Sequence, residues 1–194
     1  METKIGEVTE STTTGFVAEC YELYNLPPFG SLVKTVDPPV EIYGIVCQAG
    51  TASIEPGRRP IARGKGETSE AEIYSANPQL LKLLRSEFHV LSVGYSENAR
   101  IRQYLPARPA RIHAFVYPCT PEEVKKFSGS FDFLNLLLAP NLPVPPEEVI
   151  AAVLREMSRA QDDPRAFLVA AGKALAPRLG GEYNRLKSIL ARIH

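Results

Sequence analysis

Ile5-Gly-Glu-Val-Thr-Glu-Ser-Thr-Thr-Thr-Gly-Phe-Val-Ala-Glu-Cys20 runs through a Pro27-Pro-Phe-Gly30 turn to Leu32-Val-Lys-Thr-Val36 and then to Glu41-Ile-Tyr-Gly-Ile-Val-Cys47. These runs are short, rich in β-branched and aromatic residues, and fenced by Gly, Pro and Asp. That pattern predicts consecutive antiparallel strands, because such side chains suit a pleated surface and the fencing residues suit turns. The rest of the chain reads as additions to this sheet.

Downstream, the segment from Cys47 to Ser69 is full of Gly, Pro and Arg and lacks a sustained period, so it reads as a long exposed loop with at most one short strand. Asn77-Pro-Gln-Leu-Leu-Lys-Leu-Leu-Arg85 has a cap residue, a proline at the first helical position and an apolar stripe, which predicts a short helix. Phe88–Tyr95 and Arg111–Tyr117 return to strand character, with Ile101–Tyr104 a weaker candidate between them. Together with the first four runs they would close a barrel of about six strands, which hides sheet edges.

From Cys119 the apolar period becomes helical. Thr120-Pro-Glu-Glu123 is a capping box, and Phe131–Leu138 is a short apolar helix. Ala139-Pro-Asn-Leu-Pro-Val-Pro-Pro146 reads as a proline-rich hinge and as the domain boundary. Beyond it, Val149, Ile150, Val153, Leu154 and Met157 recur at helical spacing, as do Phe167, Leu168, Ala171 and Leu175, and then Tyr183, Leu186, Ile189 and Leu190. Asp163 before Pro164 starts the second helix and Gly180-Gly181 separates it from the third. The expected fold is α+β: a small closed antiparallel barrel with short packed helices over residues 1–139, then a three-helix bundle over 147–194.

The strand Ile5-Gly-Glu-Val8, the strand opening Gly15-Phe-Val17, the Phe29-Gly30 turn into Leu32-Val33 and the run Ile42-Tyr-Gly-Ile-Val46 resemble the HAS barrel, shared by HerA-type DNA-translocating ATPases and the α and β subunits of rotary ATP synthases. The likeness is clearest over Ile5–Gly50 and extends more loosely to Cys119. In those ATPases the barrel precedes the nucleotide-binding core and contacts neighbouring subunits. The resemblance therefore implies a subunit-contact device, here without a motor core in the 194 residues, and an ATPase or its assembly intermediate as partner.

Composition bounds the remaining choices. Hydrophobic residues at 44% and charged residues at 23% are ordinary for a globular chain long enough to bury a real core. No run approaches the roughly twenty apolar residues a membrane-spanning helix requires. The start lacks a basic head and an apolar stretch, so no secretory signal is expected. Cys20, Cys47 and Cys119 are odd in number and far apart, which suits reduced thiols in the cytoplasm.

Net charge is zero, but it is unevenly distributed. The first fifty residues hold seven acids against Lys4 and Lys34, whereas Gly57–Gly66 carries Arg58, Arg59, Arg63 and Lys65 with no acid. A second cluster, Arg100, Arg102, Arg108 and Arg111, is opposed only by Glu97. Arg100-Ile-Arg-Gln-Tyr104 interleaves arginine with tyrosine, as single-strand-binding barrels do. A neutral whole argues against nucleic acid, since nucleic-acid domains usually carry a basic excess. The expected partner is therefore a protein, with a nucleic-acid accessory role beside a HerA-type translocase as the alternative. The candidate binding residues are Arg58, Arg59, Arg63, Lys65, Arg100, Arg102 and Tyr104.

Motifs for chemistry are missing. Gly57 and Gly64-Lys65 invite comparison with a phosphate loop, but six residues lie between the glycines, and Gly66 stands where Ser or Thr should hold Mg²⁺. A solvated glycine-rich loop explains them as well. No Gly-x-Ser-x-Gly, Cys-x-x-Cys or His-Glu-x-x-His occurs, and the cysteine spacing fits no zinc pattern. His89 and His113 fall in expected strands; the preferred reading is a buried or edge histidine satisfied by backbone rather than a metal or acid–base pair. Glu7, Glu19 and Glu22 read as the solvent face of a hairpin, not a catalytic carboxylate set. The chain is therefore expected to be non-enzymatic, with no cofactor, metal or catalytic residue. Purified protein should neither hydrolyse ATP nor carry stoichiometric zinc; turnover that survives repurification, or about one zinc per chain by elemental analysis, would refute this.

Overall fold

A computed structural model describes residues 3–55, 57–138 and 144–193. Its centre is a closed antiparallel barrel of six strands. Strand β1 (Gly6–Thr12) pairs with β2 (Gly15–Cys20), and β3 (Leu32–Asp37) pairs with β4 (Val40–Ser53), as their alternating apolar residues predict. The long β5 (Leu84–Glu97) lies between β4 and β2, and β7 (Phe115–Pro118) lies between β3 and β1, which closes the ring. A short β6 (Arg100–Arg102) pairs only with β5 and stands outside the ring.

Three strand boundaries differ from the sequence expectation. β4 does not stop at Cys47 but continues through Gln48–Ser53, paired to β5 out to Ser53↔Leu84. The Ile101–Tyr104 candidate contributes β6 rather than a barrel stave. The Arg111–Tyr117 run becomes a strand only from Phe115, because the chain turns at His113, whose φ is +67°. One long bonded partner, β5, holds Gln48–Ser53 extended despite its small residues.

Two apolar cores lie on either side of the barrel wall. Val8, Phe16, Ala18, Val33, Ile42, Val46, Phe88, Val90 and Val116 fill the interior. Leu32, Tyr43, Ile45, Cys47 and Val93 face outward, into a second core with the helices. Each of the two bulges in the β4–β5 ladder inserts one residue, Val93 in β5 and Cys47 in β4. Both inserted side chains belong to the outer core.

The helical layer follows its sequence signals closely. α2 (Pro121–Phe127) begins with the expected capping box on Thr120 and Glu123. α3 (Leu134–Leu137) is a single turn, shorter than Phe131–Leu138. α4 (Pro146–Ser158) buries Val149, Ile150, Val153, Leu154 and Met157, the predicted stripe. α5 (Pro164–Arg178) is capped by the Asp163 carboxylate, and α6 (Tyr183–Leu190) follows Gly181 at φ +85°. Of the expected hinge Ala139–Pro146, residues 139–143 lie outside the described residues. No helix among the described residues is long and apolar enough to cross a membrane.

Contact between barrel and helices is close. Gly30 has φ +87°, and a Cβ there would meet the backbone of Ala152 in α4 at 2.6 Å, so this turn needs glycine both for its conformation and for the approach of the helix. Lys34, only 3% exposed on β3, pairs with Glu123 of α2. Glu123 also accepts the Thr120 N–H at 2.9 Å, while the Thr120 hydroxyl accepts the Glu123 N–H at 3.3 Å. Burial pushes the Glu123 carboxyl up, but the Lys34 and Thr120 bonds outweigh it and hold the group below the usual carboxylate range.

Two outcomes follow from this packing. The Lys34–Glu123 contribution is present above the usual carboxylate range and is lost as pH falls through the lowered value. Glu123→Gln should therefore cost about 2–4 kcal/mol near neutrality, with wild-type and variant stabilities converging in acid, as read by urea melts across pH. Brief proteolysis is expected to cut the proline-rich stretch Ala139–Pro146 first. Because the outer core joins both sides, the pieces should co-elute on native gel filtration and separate only in denaturant; separation under native conditions would contradict a shared core.

Candidate functional site

Beyond the barrel wall, β4 and β5 continue as a two-stranded arm. Ile54 N–H bonds the Leu83 carbonyl at 3.0 Å at its end, and the segment between them folds back over the arm as its tip. Within the tip, α1 (Glu70–Ala76) is capped by Ser69, whose hydroxyl accepts from the Glu72 N–H. The Glu72 carboxylate in turn takes the Thr68 hydroxyl and N–H at 2.7 and 2.8 Å, which holds it below the usual carboxylate range. The helix expected from Asn77 is a 3₁₀ turn over Pro78–Lys82 that runs straight into β5. Asn77 stands at the N-cap with Pro78 after it, as expected, but its side chain makes no capping bond there and donates instead to the Ile73 carbonyl at the end of α1.

An open cleft of about 620 Å³ lies on the tip, lined by Tyr24, Ile61, Ile73, Tyr74, Leu80 and Leu84 among others. Tyr24 and Tyr74 meet edge-to-face with ring centres 6.4 Å apart, and their hydroxyls bond. The hydrogen bond with Tyr74, together with burial, pushes the Tyr24 phenol up to about 12. Ile61 is 79% exposed, and Ile54, Leu81 and Tyr24 are also exposed.

Three of the loop bases lie at this cleft or at the recess beside it. Arg63 lines it and donates to Asn77 Oδ1 at 3.3 Å. Arg58 pairs with Glu55 at 2.8 Å. Arg58, Arg59 and Arg63 line a smaller recess with Ser53, Leu80 and Leu84. Among the described residues no carboxylate lies within ion-pair distance of Arg59 or Lys65.

Arg100, Arg102 and Tyr104 are elsewhere. β6 pairs with the far end of β5, Arg100 opposite Glu97 and Arg102 opposite Tyr95, whereas the tip adjoins Leu84. At strand rise, these ends of β5 are about 40 Å apart along the strand. The two basic clusters therefore do not form one surface. Arg102 lies over the Tyr95 ring at 5.9 Å and donates to the Tyr104 hydroxyl at 3.3 Å, while Tyr95 and Tyr104 stack edge-to-face. Arg111 meets Asp37 at 3.3 Å.

The histidines depart from their expected environment. His89 is exposed on β5, and His113 is not in a strand at all, its side chain 81% exposed. His113 Nδ1 meets the Glu7 carboxylate, which also accepts the Tyr21 hydroxyl at 3.0 Å. These bonds lower the Glu7 pKa. Lys4 Nζ stands 4.0 Å from the Phe115 ring centre beside this group. The residues form an acid–base pair on open surface, without walls to exclude water. Glu7 and Glu19 are cross-strand neighbours, and Glu22 accepts from the Asn25 amide.

Cys20 and Cys47 are free, and burial pushes both thiols up to about 11, which suppresses thiolate chemistry. Among the described residues no group of three or more His, Cys, Asp or Glu side chains is arranged to hold a metal. A second recess, about 410 Å³, lies between Leu26-Pro27-Pro28, Pro118 and Met157 at the seam of barrel and helices. The residues that reading the sequence missed are Tyr24, Ile73 and Tyr74. The signal for α1 was present as Ser69-Glu-Ala-Glu72, a capping pattern embedded in what reads as loop.

No protein-family model matches the chain, and no curated protein matches its sequence. The functional reading therefore rests on geometry and charge.

Proposed function

We propose that this protein is a non-enzymatic adaptor that binds another protein through the tip of the β4–β5 arm. The observation that carries this reading is the cleft at the tip, where the exposed side chains of Tyr24 and Ile61 stand beside Arg63, with Arg59 in the adjoining recess. Apolar anchors with a charged rim are the usual anatomy of a protein interface, the rim steering encounter and the anchors setting residence. The six-strand closed barrel fits the resemblance to the HAS barrel, whose place in ATPases makes an ATPase subunit or assembly intermediate the leading partner class. The free, buried thiols of Cys20 and Cys47 suit the reducing cytoplasm, where this reading places the protein.

Nucleic acid is the second reading, favoured by Arg100, Arg102 and Tyr104 beside Tyr95. It is the weaker of the two because Arg102 is engaged with its own tyrosines and the second cluster lies at the other end of β5. A phosphate backbone is tracked by a continuous basic path, not by two separated clusters.

The test replaces Arg58, Arg59, Arg63 and Lys65 together by Ala. The variant should lose its partner in affinity purification from source lysate with mass spectrometry, while wild type shows no binding to labelled single- or double-stranded oligonucleotides near physiological salt. Oligonucleotide affinity near micromolar or tighter, steeply salt-dependent and abolished by the substitutions with the purification profile unchanged, would overturn the adaptor reading.

A further inference from the structure

Beyond Val46, one edge of β4 has no neighbour. β3 pairs with β4 only as far as Leu32↔Ile45, and the last bonds on that side join Val46 to Gly30 and Ser31. Gln48–Ser53 bonds β5 on its other side alone. Ile54 N–H points to β5, so by strict alternation the N–H and C=O groups of Ala49, Thr51 and Ser53 point away from it. No further strand among the described residues takes them.

Past the bulge at Cys47, this edge carries neither charge nor proline. Open edges are normally blunted by brevity, lysine, proline or a bulge. Another open edge, β6, is three residues long and bears Arg100 and Arg102. Gln48-Ala-Gly-Thr-Ala-Ser53 holds no charge and no proline, and its register is regular. Gln48, Ala49, Gly50 and Ala52 are exposed, and nothing lies within 4 Å of where a Cβ on Gly50 would stand. At the Ser53 end the edge runs into the recess that Ser53 shares with Arg58, Arg59 and Arg63.

We propose that an extended segment of the partner adds as a strand along Gln48–Ser53, with carboxylates at its Ser53 end meeting Arg59 and Arg63. The inference rests on the adaptor reading and specifies its mode: backbone bonds along the edge give affinity, and the arginines select an acidic flank. A neutral segment would leave those cations facing solvent beside the interface, so charge complementarity favours the acidic one.

The test begins with short random peptides displayed on phage and panned against the full chain. Enriched peptides, made synthetically, are titrated by fluorescence anisotropy against wild type, Ala49→Pro, Ala49→Val and the pair Arg59→Ala with Arg63→Ala. Enriched sequences should join a β-branched run to an acidic flank. Ala49→Pro removes an outward N–H and should weaken binding at least about fivefold. Ala49→Val keeps that N–H and should bind as wild type, while the arginine pair should bind more weakly and with a shallower salt dependence. In wild type, amide exchange at Ala49, Thr51 and Ser53 should slow on peptide binding.

Wild-type affinity in a folded Ala49→Pro, enriched peptides without acids, or no enrichment at all would each overturn the proposal. So would unchanged amide exchange, which decides the matter even if Ala49→Pro fails to fold. A wild-type dimer in sedimentation equilibrium that Ala49→Pro dissolves would give the edge to a second copy and also overturn it. Partner capture lost in the quadruple tip variant but kept in Ala49→Pro refutes strand addition and leaves the adaptor reading standing. Capture kept in both refutes the two together.

Discussion

The two bulges in the β4–β5 ladder are the constraint on which the rest of the structure depends. A strand with one buried face can serve a barrel interior or an outer layer, but β4 must serve both: Ile42–Cys47 is buried without a break. Ile42 and Val46 point inward while Tyr43, Ile45 and Cys47 point outward. Gly44 sits in the middle of this run, where a Cβ would meet Val90 at 2.2 Å, so the bend tolerates no side chain. The inserted Val93 and Cys47 enlarge the outer apolar face and tighten the curl that lets β5 reach β2. Closure and helix docking thus share one cause. Fully burying residues such as Ile45 is worth roughly 1.5–3 kcal/mol each, which is what holds the helices onto the barrel wall.

A second link acts through charge. Lys34 is nearly inaccessible in the middle of β3, and a buried ammonium is tolerable only when paired. Glu123 pairs with it from the first turn of α2, where the same carboxylate caps the helix. The start of α2 is therefore fixed to one position on the barrel. The capping box is a local device that has acquired a tertiary role.

Those two features show what the sequence makes legible and what it hides. The strand runs around Ile5–Cys20, Leu32–Val36 and Glu41–Cys47, and the apolar stripes of α4, α5 and α6, are local periodicities, and they stand where expected except at Tyr183, which leads the α6 stripe but is exposed. The capping box at Thr120 was equally readable, but not its bond to Lys34, because the partner lies far away in sequence. Gln48–Ser53 was misjudged as loop because Ala, Gly and Ser have little intrinsic strand preference; pairing with β5 overrides that preference. His113 turns the chain with a positive φ that the flanking Ile112, Phe115 and Val116, all good strand formers, give no hint of. For the candidate surface, the bases of the Arg58–Lys65 loop were readable as a cluster, whereas Tyr24 and Tyr74 are joined only by the fold.

Counting bases in a sequence overstates the field they produce. Arg102 is held over Tyr95 with its guanidinium on Tyr104, Arg111 faces Asp37, and Arg58 faces Glu55. What remains at the tip is Arg59, Arg63 and Lys65, beside exposed isoleucine and leucine rather than beside further cations. A small residual charge next to apolar surface discriminates among protein segments, since it rewards one sign without dominating the affinity. Recognition of a polyanion depends instead on many cations acting together. Arg58, Arg102 and Arg111 are each taken up by a neighbouring side chain, and that internal use, more than the zero net charge, is what weighs against a polyanion as the ligand of the tip.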